Sequence, residues 1–305
     1  MSFEVILPFL RPIQPLLESA TISEIMVNPD SSVWIEEDSD IRQLPDVRFD
    51  EGALQTSLEV IANRFGKKLD ADSPILNLRL PDGSRLAAMI PPVVNPHPLM
   101  TIRKFTAKNF TLADLIRVGM LTQEQAVTLT AAVCDGQNIL IAGATGSGKS
   151  TLLRVLADAI PAHERILLIE DTAELHIRKP HVVSAESQTD THHSQITFDT
   201  LLRAILRHRP DRIIVGEVRG PETRTLLDAM NTGHRGMLTT IHASSATEAL
   251  HRMGTLALRG DAHADTRRIK EEVERCLNMV VFIARIEGKR FIREILEVVR
   301  EGCPT

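Results

Sequence analysis

From Leu121 onward the hydrophobic positions fall into short continuous runs separated by longer stretches with helical spacing. Asn138–Ala142, Arg165–Ile169, Arg212–Gly216, Met237–Ile241 and Met279–Ile283 are rich in Ile, Val and Leu, most without polar alternation. Such runs fit strands covered on both faces, as in a mainly parallel sheet between layers of helices. Between them, Leu152, Val155, Leu156, Ala159 and Ile160 make one helical stripe. Leu201, Leu202, Ile205 and Leu206 make a second, which Pro210 ends. Ser245 and Glu248 have the spacing of a capping box and open a third helix, and Asp265 caps a fourth with Ile269, Val273 and Leu277 inward. A hairpin turning at Glu287-Gly288-Lys289 closes the pattern.

Residues 1–105 follow a different rhythm. Short apolar runs at Val33–Ile35, Ile75–Leu80 and Leu86–Ile90 lie between the turn signals Asn28-Pro29-Asp30, Pro81-Asp82-Gly83 and Pro91-Pro92. Leu54, Leu58, Ile61 and Phe65 predict a helix that stops at Gly66. The pattern therefore predicts a smaller α+β domain over 1–105, a linker with one short amphipathic turn over 106–118, and an α/β domain over 119–305.

Composition narrows this picture. The 305 residues are 43% hydrophobic and 25% charged, a balance that suits a packed core and excludes a disordered or collagen-like chain. The net charge of −5 lies wholly in residues 1–105, with 15 acids against 10 bases, while the remainder holds 25 of each. That argues against a basic nucleic-acid arm, and an aromatic content of 3% argues against a base-stacking platform. No sequence-specific nucleic-acid binding is expected. Cys134, Cys276 and Cys303 are far apart and suit neither a disulfide framework nor a thiolate zinc site. No run approaches the roughly 18 apolar residues of a membrane span, so the expected location is cytoplasmic, with membrane contact through partners.

The chemistry begins after the first core strand. Gly143, Ala144, Thr145, Gly146, Ser147, Gly148, Lys149 and Ser150, followed by Thr151, match G-x-x-x-x-G-K-[ST] between an apolar run and a helix. The glycines let successive N–H groups turn inward onto phosphate oxygens, and the helix N-terminus adds positive dipole. Lys149 supplies a point charge to the β- and γ-phosphates, and the Ser150 hydroxyl suits Mg²⁺. Hydrolysis also needs carboxylates that place water and metal. Arg212–Gly216 ends in Glu217, the pattern of a Walker B strand with Gly216 where a metal-associated Asp is common. Glu170, Asp171 and Glu174 at the end of another strand offer metal-side carboxylates. Taken singly, Glu217 or Glu174 would also suit a solvated strand end.

In combination the motifs are more specific. GATGSGKST at 143–151, IEDTAEL at 169–175, RPDRIIVGEVRG at 209–220, AMNTGH at 229–234 and TTIHAS at 239–244 resemble the secretion traffic ATPases of the type II/type IV superfamily, most of all their conjugal-transfer branch. Upstream, EIMVNPD at 24–30, DGSRL at 82–86, PPVV at 91–94 and TIRKF at 101–105 carry the same resemblance. It implies a RecA-like P-loop domain and an ATP- and Mg²⁺-dependent homohexamer. Such a ring would power type IV secretion, conjugal transfer or pilus biogenesis beside other system proteins at the inner membrane. It further implies Glu217 as catalytic carboxylate, Glu174 with Asp171 as acids placing water or metal, and His234 and His242 as γ-phosphate sensors. Arg85 and Arg103 would reach the nucleotide from the first domain. Arg203, Arg207 and Arg209 form a basic run whose separate roles stay open. A pilus or type II secretion motor, a helicase-like translocase, and a nucleotide-gated scaffold with little turnover are the alternatives. The absence of an Asn-Lys-x-Asp motif speaks against a GTPase. His192-His193 and the His176/His181 pair read as solvated loop rather than metal ligands.

Overall fold

A computed structural model describes residues 6–37, 40–50, 52–104, 110–171, 173–187, 196–261 and 264–298. The chain divides into two compact units, Met1–Lys108 and Asn109–Thr305.

In the first unit, β1 (Ile22–Val27), β2 (Val33–Glu37), β3 (Asp40–Leu44), β4 (Ile75–Arg79), β5 (Arg85–Met89) and β6 (Leu99–Arg103) form one antiparallel sheet in the order β3-β2-β1-β6-β5-β4. Period-two alternation sends Ile25, Ile35, Leu76, Leu86 and Ile102 to one face, where α1 (Gln14–Glu18) and α2 (Ala53–Arg64) supply Leu17, Leu58 and Ile61 to the same core. The other face carries a transverse row, with Glu36 opposite Glu24, Glu24 opposite Arg103, Arg103 opposite Arg85, and Arg85 opposite Arg79.

The second unit begins earlier than the hydrophobic pattern predicts. Part of the expected linker forms α3 (Leu112–Arg117), closed by a capping box between Thr111 and Asp114, and Leu115 enters the core. A second capping box, Thr122 with Gln125, starts α4 (Gln123–Cys134). The elements β7 (Ile139–Gly143), α5 (Lys149–Ala157), β8 (Ile166–Glu170), β9 (Val182–Glu186), α6 (Phe198–Ile205) and β10 (Arg212–Val215) follow. They lead into α7 (Glu222–Asn231), β11 (Leu238–Ile241), α8 (Ala246–Gly260), α9 (Thr266–Cys276), β12 (Met279–Ile286) and β13 (Lys289–Glu297). The seven-stranded sheet runs β13-β12-β7-β11-β10-β8-β9, parallel throughout except for the terminal β12–β13 hairpin.

All five apolar runs are strands of this sheet. Every residue of β7, β8, β10 and β11 is buried, because helices cover both faces. Ser245 caps α8 through the Glu248 amide, Asp265 caps α9 through the amides of Arg267 and Arg268, and the hairpin turns at Glu287-Gly288. Among the described residues no helix is long and apolar enough to cross a membrane.

The N-terminal edge of the parallel sheet is fastened by polar groups. The Asn138 side chain donates to the Cys276 carbonyl at 2.8 Å and accepts from the Met237 amide at 3.0 Å, tying β7, α9 and β11 together. The Arg212 guanidinium, 5% exposed, pairs with Glu164 and lies against Gly236. Gly236 has φ +68, and a Cβ there would sit 1.8 Å from Arg212 Nη1. Gly236→Ala therefore combines left-handed strain with displacement of the buried Arg212 from its pairing with the partly exposed Glu164. It is expected to destabilise the second unit by about 2–4 kcal/mol, read as a lower urea midpoint at constant m-value.

Candidate active site

Register places the chemistry. In the parallel pairs Ala142 lies beside Ile241, Val215 beside Thr239, and Ile169 beside Val215. The residues leaving these strands at their C-terminal ends, Gly143, Glu170, Gly216-Glu217 and His242, therefore meet along one edge of the sheet, where open α/β sheets bind ligands.

The loop after β7 depends on close backbone approach. A Cβ on Gly143 would lie 2.5 Å from Ser147 Oγ and 2.7 Å from the Ile283 carbonyl, so the loop folds back on its own strand at this point. Gly148 ends the loop and Lys149 opens α5, with Ser150 and Thr151 in its half-buried first turn. This is the strand, loop and helix geometry that phosphate cradles require. Lys149 is 6% exposed, and its ammonium donates to the carbonyls of Gly143 and Ala144, each at 3.0 Å.

From Lys149 a chain of contacts leads to the Walker B carboxylate. Lys149 Nζ lies 3.3 Å from His242 Nδ1, and His242 Nε2 lies 3.0 Å from Glu217 Oε1. An ammonium can only donate, which assigns Nδ1 as acceptor and puts the imidazole proton on Nε2, facing Glu217. Burial, followed by the Lys149 charge, lowers the His242 pKa, while Glu217 opposes the shift. The neutral ring is therefore the resting form.

Glu217 Oε2 accepts from Arg219 Nη2 at 2.8 Å. Oε1 is buried and, among the described residues, accepts no aligned hydrogen bond, the contact from His242 being close in distance only. Burial pushes the Glu217 carboxyl up, but Arg219, His242 and Lys149 together hold it below its usual range.

The acids after β8 separate in role. Glu170 is 4% exposed, and its Oε1 accepts from the amides of Glu174 and Leu175, each at 2.9 Å. Through Oε1 that carboxylate fastens the turn. A Cβ at position 216 would lie 3.1 Å from Glu170 Cγ, so Gly216 makes room for this carboxylate. Asp171 is exposed, accepts from Ser187 at 3.1 Å, and lies 3.7 Å from Arg219 Nη1. The Glu174 charge acts on both Lys149 and Arg219. Hard oxygen donors on Ser150 and Asp171 fit Mg²⁺, which keeps several waters and shares phosphate oxygens. It needs no protein cage, and among the described residues no three His, Cys, Asp or Glu side chains form one.

The other expected site residues have these local settings. His234 precedes β11 while His242 follows it, so the two histidines stand at opposite ends of that strand. The His234 ring instead meets the Ala229 carbonyl at 3.2 Å. Arg85 and Arg103 are direct cross-strand neighbours in the first unit. Arg103 also faces Glu24, whose carboxyl is raised by burial against the pull of that arginine, with Glu36 adding to the rise. His181 contacts Arg165 at 2.7 Å. His192 and His193 lie outside the described residues. Two contributors escaped the motif reading, Arg219 and Glu222. Glu222 Oε1 accepts from the amides of Arg219 and Gly220, each at 2.7 Å, and so shapes the turn that follows Glu217.

The chain is similar to known proteins over most of its length. The family model described as Type II/IV secretion system protein matches residues 10–297. The probable conjugal transfer protein TrbB of Sinorhizobium fredii is 34% identical over 288 residues, covering 93% of this chain and 85% of its own. The type IV secretion system protein VirB11 of Bartonella quintana is 32% identical, with coverages of 95% and 92%. Among solved structures, the VirB11 ATPase of the Brucella suis type IV secretion system, in complex with sulphate, is similar at 26% identity and a TM-score of 0.52 over 96% of this chain and 94% of that one. The Legionella pneumophila ATPase DotB shares the fold at 22% identity and a TM-score of 0.68, covering 96% of this chain and 82% of that one. With its P-loop, its Gly-Glu strand and a match over nearly its whole length, the chain belongs to the type II/IV secretion system protein family.

Proposed function

We propose that this protein is a Mg²⁺-dependent ATPase that works as a homohexameric motor for type IV secretion or conjugal transfer, bound peripherally at the inner membrane beside other system proteins. The observation that carries the catalytic reading is the line Lys149, His242, Glu217. It joins the phosphate loop to a half-buried carboxylate that is held ionised with one oxygen open to a proton.

In this reading the backbone amides of Ala144–Thr151 bind the triphosphate, and Lys149 exchanges its two carbonyl partners for phosphate oxygens. Ser150 and Asp171 would hold Mg²⁺, which when bound neutralises charge on the β- and γ-phosphates. Glu217 orients the attacking water and accepts its proton, with Glu174 beside it. His242 joins the two, so a change at the phosphate is felt at the carboxylate. Arg85 and Arg103 would add positive charge from the first domain, and His234, at the other end of β11, would act on something other than the γ-phosphate of its own loop.

Purified protein is expected to release phosphate from ATP with Mg²⁺ and to stop when EDTA removes the metal. Its mass with a non-hydrolysable ATP analogue should be six times that of the chain. Tight ATP binding without phosphate release, even with lipid and partner proteins present, would favour the nucleotide-gated scaffold instead.

A further inference from the structure

The turn after β10 holds a cation that the motif reading does not use. Arg219 stands two residues beyond Glu217, and its guanidinium reaches two acids from different strands. Nη2 donates to Glu217 Oε2 at 2.8 Å, and Nη1 lies 3.7 Å from Asp171 Oδ2 at the end of β8. Its backbone is fixed as well, because Glu222, 8% exposed at the start of α7, takes the Arg219 and Gly220 amides on one carboxylate oxygen. Gly220 leaves space for that arrangement, since a Cβ there would lie 2.9 Å from Glu222 Oε2. The Arg219 backbone N–H and one guanidinium nitrogen are thus hydrogen-bonded, while the second guanidinium nitrogen makes a longer ion contact to Asp171 on a side chain 64% exposed. The groups facing Glu217 are Arg219 from its own turn, His242 from the end of β11 and Lys149 from α5.

We infer that Arg219 is a positioning residue for hydrolysis. It bridges the carboxylate that handles water to the Asp171 side of the site, fixing which oxygen of Glu217 is available. A carboxylate with two equivalent oxygens can rotate. With Oε2 taken by a guanidinium whose own backbone is clamped by Glu222, only Oε1 is presented toward His242 and the phosphate loop. A planar fork holds two acids at a set separation, which a lysine ammonium does less well.

This inference rests on the assignment of Glu217 as the catalytic carboxylate, and the test separates the two. In Arg219→Gln, kcat is expected to fall about 10- to 100-fold, as when a partner that orients an active group is removed. KM for MgATP and the affinity for a non-hydrolysable analogue should stay within about twofold, because no phosphate contact is lost. Arg219→Lys should recover part of kcat, since charge returns without the fork. In a Glu217→Gln background, adding Arg219→Gln should change the residual single-turnover rate by less than about twofold, as residues acting through one another are not additive. A rise in KM with unchanged kcat would make Arg219 a nucleotide contact and overturn the inference. So would faster turnover, which would make it a restraint, or a full additional loss in the Glu217→Gln background. If Glu217→Gln alone keeps full turnover, the underlying assignment has failed instead.

Discussion

Lys149→Ala is expected to lower ATP turnover by about a hundred- to a thousandfold, the scale seen when an oriented donor is taken from a developing oxyanion. The ammonium is buried and already placed, bound to the Gly143 and Ala144 carbonyls at 3.0 Å and facing His242. Burial lowers its pKa, while Glu217 and Glu174 act to keep it charged. Neutral carbonyls are weaker partners for a cation than phosphate oxygens, so an arriving triphosphate draws Lys149 out of this arrangement. The alanine variant loses that exchange and also strands two loop carbonyls and the His242 Nδ1. Analogue affinity should therefore fall along with turnover, with a modest loss of thermal stability. Lys149→Arg should fail to rescue, because a planar five-donor fork does not fit a site built around one tetrahedral nitrogen. Steady-state phosphate release with direct analogue titration decides the matter, and near-normal turnover in either variant would sink the role given to this loop.

How much of this was legible follows from which physical signal each residue leaves in the chain. The four central strands β7, β8, β10 and β11 were readable because burial on both faces forbids polar alternation. The edge strand β9 was not, because Val182–Glu186 is half exposed and mixes Val with Ser and Glu. Helix α7 also escaped notice, since threonines stand where apolar residues would mark a stripe: Thr223 and Thr225 are buried, 0% and 3% exposed. The phosphate loop announces itself through glycines that only a tight backbone needs. Glu170 reads in the sequence only as an acid at a strand end, and its clasp on the amides of Glu174 and Leu175 appears with the backbone path. The histidines are close in sequence, but the four-residue strand β11 between them places His234 and His242 at its opposite ends. Arg219 lies inside the 209–220 motif but carries no assigned role there, and Glu222 lies just beyond it. Their roles come from a turn in which one carboxylate holds two successive amides, and such a turn becomes visible only once the backbone path is known.

Glu217→Gln should separate chemistry from binding. Turnover is expected to fall about 10²- to 10⁴-fold, the usual worth of a positioned general base. Analogue affinity should stay within a few-fold, in contrast to Lys149→Ala. The substitution is nearly isosteric, so the effect must come from charge and hydrogen-bond polarity. Both neighbours of this side chain are donor groups: Arg219 Nη2 donates to one oxygen, and Nε2 of the neutral His242 ring lies 3.0 Å from the other. A carboxylate accepts from Arg219 and keeps its second oxygen negative beside His242. A glutamine amide must turn its NH₂ toward one of them, which weakens either the Arg219 contact or the link through His242 to Lys149. It also cannot take a proton from water at neutral pH. Glu217→Asp keeps the charge but withdraws it by one methylene, and should fall between the two. Burst and single-turnover measurements would place the defect in the hydrolytic step. Full turnover in Glu217→Gln would move the catalytic carboxylate to Glu174, the other acid whose charge reaches both Lys149 and Arg219.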